Sequence, residues 1–369
     1  MKHYFFAGGG TGGHIYPAIA IAERITDLEP DAQIKFFCSN RPIDSAILAD
    51  SPFEPTILPA MAFSIRPPRF CSFLCSLMKS YRLALKELKA VKKDAVVIGI
   101  GGFLSAPVVL AAAKLKIPVF MVNVDIVPGR ANKLLAGFAK EIFVQFDETP
   151  KHFGPNTPKV TVTGCPLRAA FMKPDKARAI AKLQLDESKK TLLITGASSG
   201  SESINQAVLK LLGALESFAD DWQIVHLAGR DNYQRIEAAY NDSKIARRVL
   251  GYWHDMADLY ACADIIIGRA GAVSIAEFAA SGKPAICLPY PYHRDKHQYR
   301  NASVLASTGQ AVIVDDHIGD CDKTSKELFN CLEELMADDE KRLSRTNIAN
   351  PLTKNDPALQ ITKKIIQTT

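Results

Sequence analysis

The feature that most constrains this chain is a regular exchange of short apolar runs and helical patterns, and the series starts twice. His3 to Ala7, Gln33 to Cys38, Ala95 to Ile100, Pro118 to Val124, Glu141 to Phe146 and Lys159 to Thr163 form the first series. Runs this short, each followed by a stretch of helical period, specify βα units, and their strands assemble into a parallel, doubly wound sheet. Beyond Gly164 a charged helical stretch leads to Thr191 to Thr195, Gln223 to Leu227, Arg248 to Leu250, Ala263 to Ile267, Pro284 to Pro289 and Ala311 to Val314. A chain of 369 residues with 47% hydrophobic content is too long for one small core, so the restart marks a second domain. The expected division is 1–163, 164–345 and a terminal segment 346–369, whose helix from Asp356 to Gln367 packs back on the first domain. Ligands in such folds bind at the carboxyl ends of the strands, so both domains are expected to offer loops to a central cleft.

Ala95 to Ala113 carries no charge and is long enough to suggest a membrane span. Gly99, Gly101, Gly102, Ser105 and Pro107 instead break it into strand, loop and helix. The apolar stretch at the N-terminus ends at Ala7, too soon for a signal peptide, and the expected location is cytoplasmic. The eight cysteines fit no common zinc spacing and read as reduced, mostly buried thiols. Net charge is +6, and residues 60–94 hold all of it. Arg66, Arg69, Lys79, Arg82, Lys86, Lys89, Lys92 and Lys93 face only Glu87 and Asp94 there. An anionic partner would dock on that segment. Phe70, Phe73, Leu74, Leu77, Met78 and Tyr81 recur within it at helical spacing, a stripe suited to a membrane surface or to the domain's own core.

Gly8-Gly9-Gly10-Thr11-Gly12-Gly13-His14 follows a strand and opens a helix, so backbone N–H groups there can approach an anion or a sugar. Gly8, Gly10 and Gly13 also satisfy G-x-G-x-x-G, but the second strand ends Phe37-Cys38-Ser39-Asn40 without the ribose carboxylate of a dinucleotide site. A P-loop is excluded because His14 stands where its lysine belongs. A histidine at the lip of a glycine loop suits a general base, and equally a helix cap. Gly268 to Glu277 repeats the arrangement in the second half, with a helix tip for a diphosphate and Glu277 one turn beyond Ser274 for ribose hydroxyls or for the helix dipole. His293 to Asn301 is a dense polar stretch whose H-x-x-x-H has Arg294 where a zinc protease needs glutamate. Asp320-Cys321-Asp322 imitates an acidic metal motif and reads as an exposed loop.

GGGTGGHIYPAIAIA, VIGIGGFLSAPVVLAA, GCPLR, RAGAVSIAEFAASGKPAICLPYP and HQYRNA together resemble, in order and separation, the successive signatures of the MurG-type N-acetylglucosaminyltransferases of peptidoglycan synthesis. The resemblance spans nearly the whole chain. It implies an α/β architecture of two Rossmann-like domains, the GT-B glycosyltransferase fold, with acceptor in the first and UDP-sugar in the second. The implied reaction is inverting transfer of N-acetylglucosamine from UDP-GlcNAc to the 4-hydroxyl of undecaprenyl-linked muramoyl-pentapeptide. It would proceed without metal or cofactor and without nucleic acid, on the cytoplasmic face of the inner membrane, held peripherally through residues 60–94. Position by position, the resemblance implies a loop of Gly10, Thr11, Gly12 and Gly13 for the acceptor, with Thr11, Gly12, Gly13 and Asp125 also within reach of the sugar nucleotide. It assigns Arg168 to the donor phosphate, Ser198 and Ser274 to the diphosphate, Glu277 to the ribose, His297 and Gln298 to sugar hydroxyls and the Trp253 backbone to uracil. Where the family usually carries His-Glu-Gln-Asn this chain reads Val122-Asn123-Val124-Asp125, leaving His14, or Asp125 in the asparagine's place, as candidate base. GASSGSES likewise replaces the usual GGSQGAR.

Overall fold

The computed structural model describes residues 1–10, 12–61, 67–196, 200–292, 296–353 and 356–369. Thr11, Arg66, Ser198, His293 and Arg294 therefore lie outside the described residues. The chain forms two units, Met1–Ala169 with Lys354–Thr369, and Ala170–Thr353, against expected divisions at 163/164 and 345/346.

In the first unit β1 (His3–Ala7), β2 (Gln33–Cys38), β3 (Glu54–Ile57), β4 (Ala95–Gly99), β5 (Val119–Asn123), β6 (Glu141–Val144) and β7 (Val160–Val162) form one parallel sheet. Its order is β3-β2-β1-β4-β5-β6-β7. Ala-Val-Val-Ile-Gly in β4 and Val-Phe-Met-Val-Asn in β5 are buried throughout, as continuous apolar runs are in a sheet covered on both faces. The edge strand β3 was not foreseen, because Glu-Pro-Thr-Ile lacks an apolar run and carries Pro55, which only an edge tolerates. Strand order reverses between β1 and β4. The loops after those two strands thus emerge side by side, Gly8–Gly10 from one and Ile100–Gly102 from the other. The terminal helix Pro357–Thr368 buries Ala358, Ile361 and Ile365 and contacts the helix Gly12–Leu28. Arg24 pairs with its capping Asp356 at 2.8 Å.

The second unit repeats the plan with β8 (Lys190–Thr195), β9 (Trp222–Leu227), β10 (Ala246–Leu250), β11 (Ile265–Gly268), β12 (Ala285–Cys287) and β13 (Ala311–Ile313), ordered β10-β9-β8-β11-β12-β13. Here the reversal lies between β8 and β11, so the turn at Gly200 and the turn at Arg269–Gly271 become neighbours.

All eight cysteines are free, and Cys38, Cys165, Cys262 and Cys287 are buried. Cys321 and Cys331 are half-buried, and the exposed ones are Cys71 and Cys75. Both lie on the outward face of the helix Pro67–Ala90, where an apolar neighbourhood in sequence does not mean burial.

The second core encloses a polar element. His226 on β9 is fully buried, with Nδ1 2.9 Å from the Tyr240 hydroxyl and Nε2 3.0 Å from Asn205 Oδ1. Burial drives its pKa down from 6.5 to about 3. The unfolded chain thus binds a proton below pH 6.5 that the folded chain refuses. The resulting stability is complete above pH 6.5 and is lost progressively as pH falls toward 3. Between pH 7 and pH 5 the loss amounts to about 2 kcal/mol. Urea unfolding at the two pH values should show that drop in the parent protein and a clearly smaller one in His226→Gln. Parallel losses would contradict the assignment.

Candidate functional site

At the first switch point the chain turns sharply after β1, with Gly10 at φ +89°. The turn is tied from below by Asp44, a fully buried residue of the helix Pro42–Ala49. Gly10 N–H donates to both Asp44 carboxylate oxygens, at 2.8 and 2.9 Å. Ser39 adds its N–H at 3.0 Å and its hydroxyl at 2.6 Å. Arg41 donates to Gly10 O at 3.1 Å. The Gly10 N–H is consequently engaged inside the protein, which corrects the picture of a fully bare loop. Glycine is required at position 9 because a Cβ would lie 2.4 Å from Asp44 Oδ2.

His14, on the first turn of the helix Gly12–Leu28, places Nδ1 3.2 Å from Gly9 O. Its ring also faces the second loop, where a Cβ on Gly101 would come within 3.5 Å of Nε2 and one on Gly102 within 3.7 Å of Cε1. Both glycines adopt positive φ, a backbone conformation that other residues rarely take, and so the shape of the loop beside the imidazole favours glycine.

His14 and Asp125 are brought to one cavity of about 890 Å³ in this unit. Phe73, Leu77, Phe103, Leu110, Leu135 and Phe138 give it apolar walls, and Asn123, Arg130 and Asn132 add polar groups. Asn123 donates to Asp125 O at 2.6 Å and accepts from Asn132 at 2.9 Å. The residue at the family's usual glutamate is thus an amide that holds neighbouring backbone, with no proton to exchange at neutral pH. Asn132 Oδ1 is buried and has no hydrogen-bond partner among the described residues, an acceptor set into the wall of the cavity.

The apolar stripe on the helix Pro67–Ala90 divides. Phe73 and Leu77 line the cavity and Tyr81 packs on the core, whereas Phe70, Leu74 and Met78 are exposed, four residues apart on one face. Lys79, Arg82, Lys86 and Lys89 are exposed along the same helix.

The second unit holds a cavity of about 710 Å³ lined by Gly200, Ser201, Ser203, Arg269, Gly271, Ser274, Tyr290, Gln298 and Asp316 among others. Ser274 sits in the first turn of the helix Ala272–Ser281, where orphan N–H groups and the helix dipole favour a phosphate. Gln298, on the helix His297–Ser307, accepts from Tyr290 N at 2.9 Å. Asn301 on that helix donates to Ala270 O at 3.3 Å and steadies the turn. The floor is an ionic cluster that sequence reading missed. Arg269 donates to Ser201 at 3.0 Å, to Leu288 O at 2.9 Å and to Ser203 at 2.5 Å, and pairs with Asp316 at 2.7 Å.

The remaining expected residues are not among those lining that cavity. Glu277 is buried and accepts from the Tyr260 hydroxyl at 3.0 Å. His297 opens its helix next to Gln298. Trp253 lies under Lys182, whose Nζ is 5.2 Å from the ring centroid. Arg168 belongs to the first unit, its guanidinium 4.6 Å over the ring of Tyr16. Among the described residues no group of three or more His, Cys, Asp and Glu side chains is arranged to hold a metal ion.

The glycosyltransferase family 28 N-terminal domain matches residues 4–144, and the family 28 C-terminal domain matches residues 191–365. A protein of Desulforamulus reducens named UDP-N-acetylglucosamine--N-acetylmuramyl-(pentapeptide) pyrophosphoryl-undecaprenol N-acetylglucosamine transferase is 32% identical over 366 residues, 96% of each chain. One of the same name from Halothermothrix orenii is 37% identical over 352 residues, 92% of this chain and 91% of its own. The chain belongs to the MurG family of glycosyltransferases. The crystal structure of Acinetobacter baumannii MurG matches it with a TM-score of 0.70 at 26% identity over 100% of both chains, in keeping with the GT-B fold of the MurG family. UDP-GlcNAc 2-epimerase from Neisseria meningitidis, solved with UDP-GlcNAc, reaches 0.66 at 15% identity over 100% of both chains, a likeness of fold alone.

Proposed function

We propose that this chain transfers N-acetylglucosamine from UDP-GlcNAc to the muramyl 4-hydroxyl of an undecaprenyl-diphosphate-linked muramoyl-pentapeptide, with inversion, at the cytoplasmic face of a membrane. The observation that carries this reading is the pair of switch-point cavities, one in each unit. One has a histidine at a glycine loop and apolar walls, and the other a helix tip above a buried arginine. The first suits a lipid-linked sugar, the second a sugar diphosphate.

The acceptor oxygen attacks the anomeric carbon from the face opposite UDP, and the bond from that carbon to the diphosphate oxygen breaks. His14 takes the proton released by the hydroxyl, with Asp125 of the same cavity as the alternative base. The electron pair leaves with UDP. Backbone N–H groups near Gly271 and Ser274, together with Arg168, oppose the charge that develops there. Glu277 and the backbone of Trp253 would hold the ribose and uracil, with His297 and Gln298 on the sugar hydroxyls. Relatives named for this transfer support it at 32% and 37% identity over 96% and 92% of the chain, against 15% for the epimerase.

No helix among the described residues is long and apolar enough to cross a membrane. Docking is assigned to the exposed Phe70, Leu74 and Met78 with their basic neighbours, since each basic group near anionic lipid contributes ~1 kcal/mol. Incubation with labelled UDP-GlcNAc and vesicles carrying the lipid-linked acceptor should move label into the lipid fraction with equal release of UDP. Transfer to diacylglycerol instead, or conversion of the nucleotide to its 2-epimer without acceptor, would replace the reading.

A further inference from the structure

Gly10 N–H and Gly9 C=O belong to one peptide group, and its two ends are engaged by two functional side chains. The N–H donates to both oxygens of Asp44, at 2.8 and 2.9 Å, and the carbonyl lies 3.2 Å from His14 Nδ1. We infer that Asp44 is a positioning residue for the transfer step, acting on His14 through the Gly9–Gly10 peptide. The inference rests on the reading of His14 as the base.

A carbonyl oxygen can only accept, so the Gly9 contact requires the proton on Nδ1 and leaves the lone pair on Nε2. Nε2 is the nitrogen that faces Gly101, and it is the one required to take a proton from the acceptor hydroxyl. The peptide transmits charge as well as direction. A carboxylate drawing on the N–H shifts amide electron density toward the oxygen, and hydrogen bonds in such a chain strengthen one another. When Nε2 is protonated during attack, the stronger Nδ1–H donor meets a carbonyl already polarised by the buried carboxylate. The arrangement does what the aspartate of a Ser-His-Asp triad does for its imidazole, with one amide interposed.

The arrangement is over-determined. Ser39 holds Asp44 Oδ2 through both its N–H and its hydroxyl, so the carboxylate has a fixed position. Gly9 leaves no room for a side chain between it and the loop. Asp44 lies beyond the end of β2, in the first turn of the helix Pro42–Ala49, and faces the glycine loop and not a ribose.

The decisive measurement is the nitrogen-15 imidazole spectrum of His14 in the unmodified protein, assigned by comparison with His14→Ala. A proton on Nδ1 is expected, and a proton on Nε2 would overturn the inference whatever the variants do. Asp44→Asn keeps the shape and removes the charge. It should lower kcat by about tenfold, leave KM for UDP-GlcNAc within about twofold, and move the His14 proton partly to Nε2. A folded Asp44→Asn protein with parental kcat and an unchanged tautomer would also overturn it. Failure of the base reading is separate, since it shows as an active His14→Ala protein, and the tautomer is read without turnover.

Discussion

Replacing His14 with alanine should cut turnover by ~10² or more while leaving UDP affinity nearly intact. The ring occupies the first unit's cavity and touches the glycine loops that frame it, whereas the residues assigned to the nucleotide belong chiefly to the second unit. Loss of the base therefore falls on the chemical step and not on donor binding. Steady-state kinetics with the lipid-linked acceptor, paired with calorimetric titration of UDP, separates the two. Full activity in His14→Ala would remove the proposed base, and loss of activity in Asp125→Ala alongside it would reassign the role. Asn123 offers no third route. Its amide is spent on Asp125 O and Asn132.

The division between what the sequence discloses and what it conceals follows the range of the interactions. Strand positions were legible because apolar runs such as Ala-Val-Val-Ile-Gly are local patterns, and the glycine turns were legible because backbone demands are local too. Strand order then places the loops, so the two switch points followed from topology. Asp44 was not legible. Its partner Gly10 lies 34 residues away, and no local rule distinguishes a helical aspartate that faces water from one that ties down a loop. The stripe at Phe70 to Tyr81 was found but not divided, since residues three and four apart on a helix share a face only approximately. Phe73 turned to the cavity, while Leu74 next to it remained exposed. Ser198 and Thr11 lie outside the described residues, and their roles rest on the resemblance.

Arg269→Ala should destabilise the second unit by about 3–5 kcal/mol. Arg269 and Asp316 have side chains only 10% and 7% exposed. Each has surrendered its hydration, and neither is tolerable without the other. Removing the guanidinium strands a buried carboxylate, and it also leaves Leu288 O, Ser201 and Ser203 without their donor. Asp316→Ala should be comparably harmful, because the arginine is then the uncompensated charge. Replacing both at once, as Arg269→Met with Asp316→Leu, removes the charge and its counter-charge together. Most of the loss should return, since a buried pair is worth little more than an apolar one of similar size. Urea unfolding of the three variants without nucleotide measures this directly. Losses in the double variant equal to the sum of the single ones would mean that the two groups act independently, and the cluster would not be the support of the donor cavity floor. The double variant should still bind UDP less tightly than the parent protein, because Ser201 and Ser203 lose the fork that aims them into that cavity.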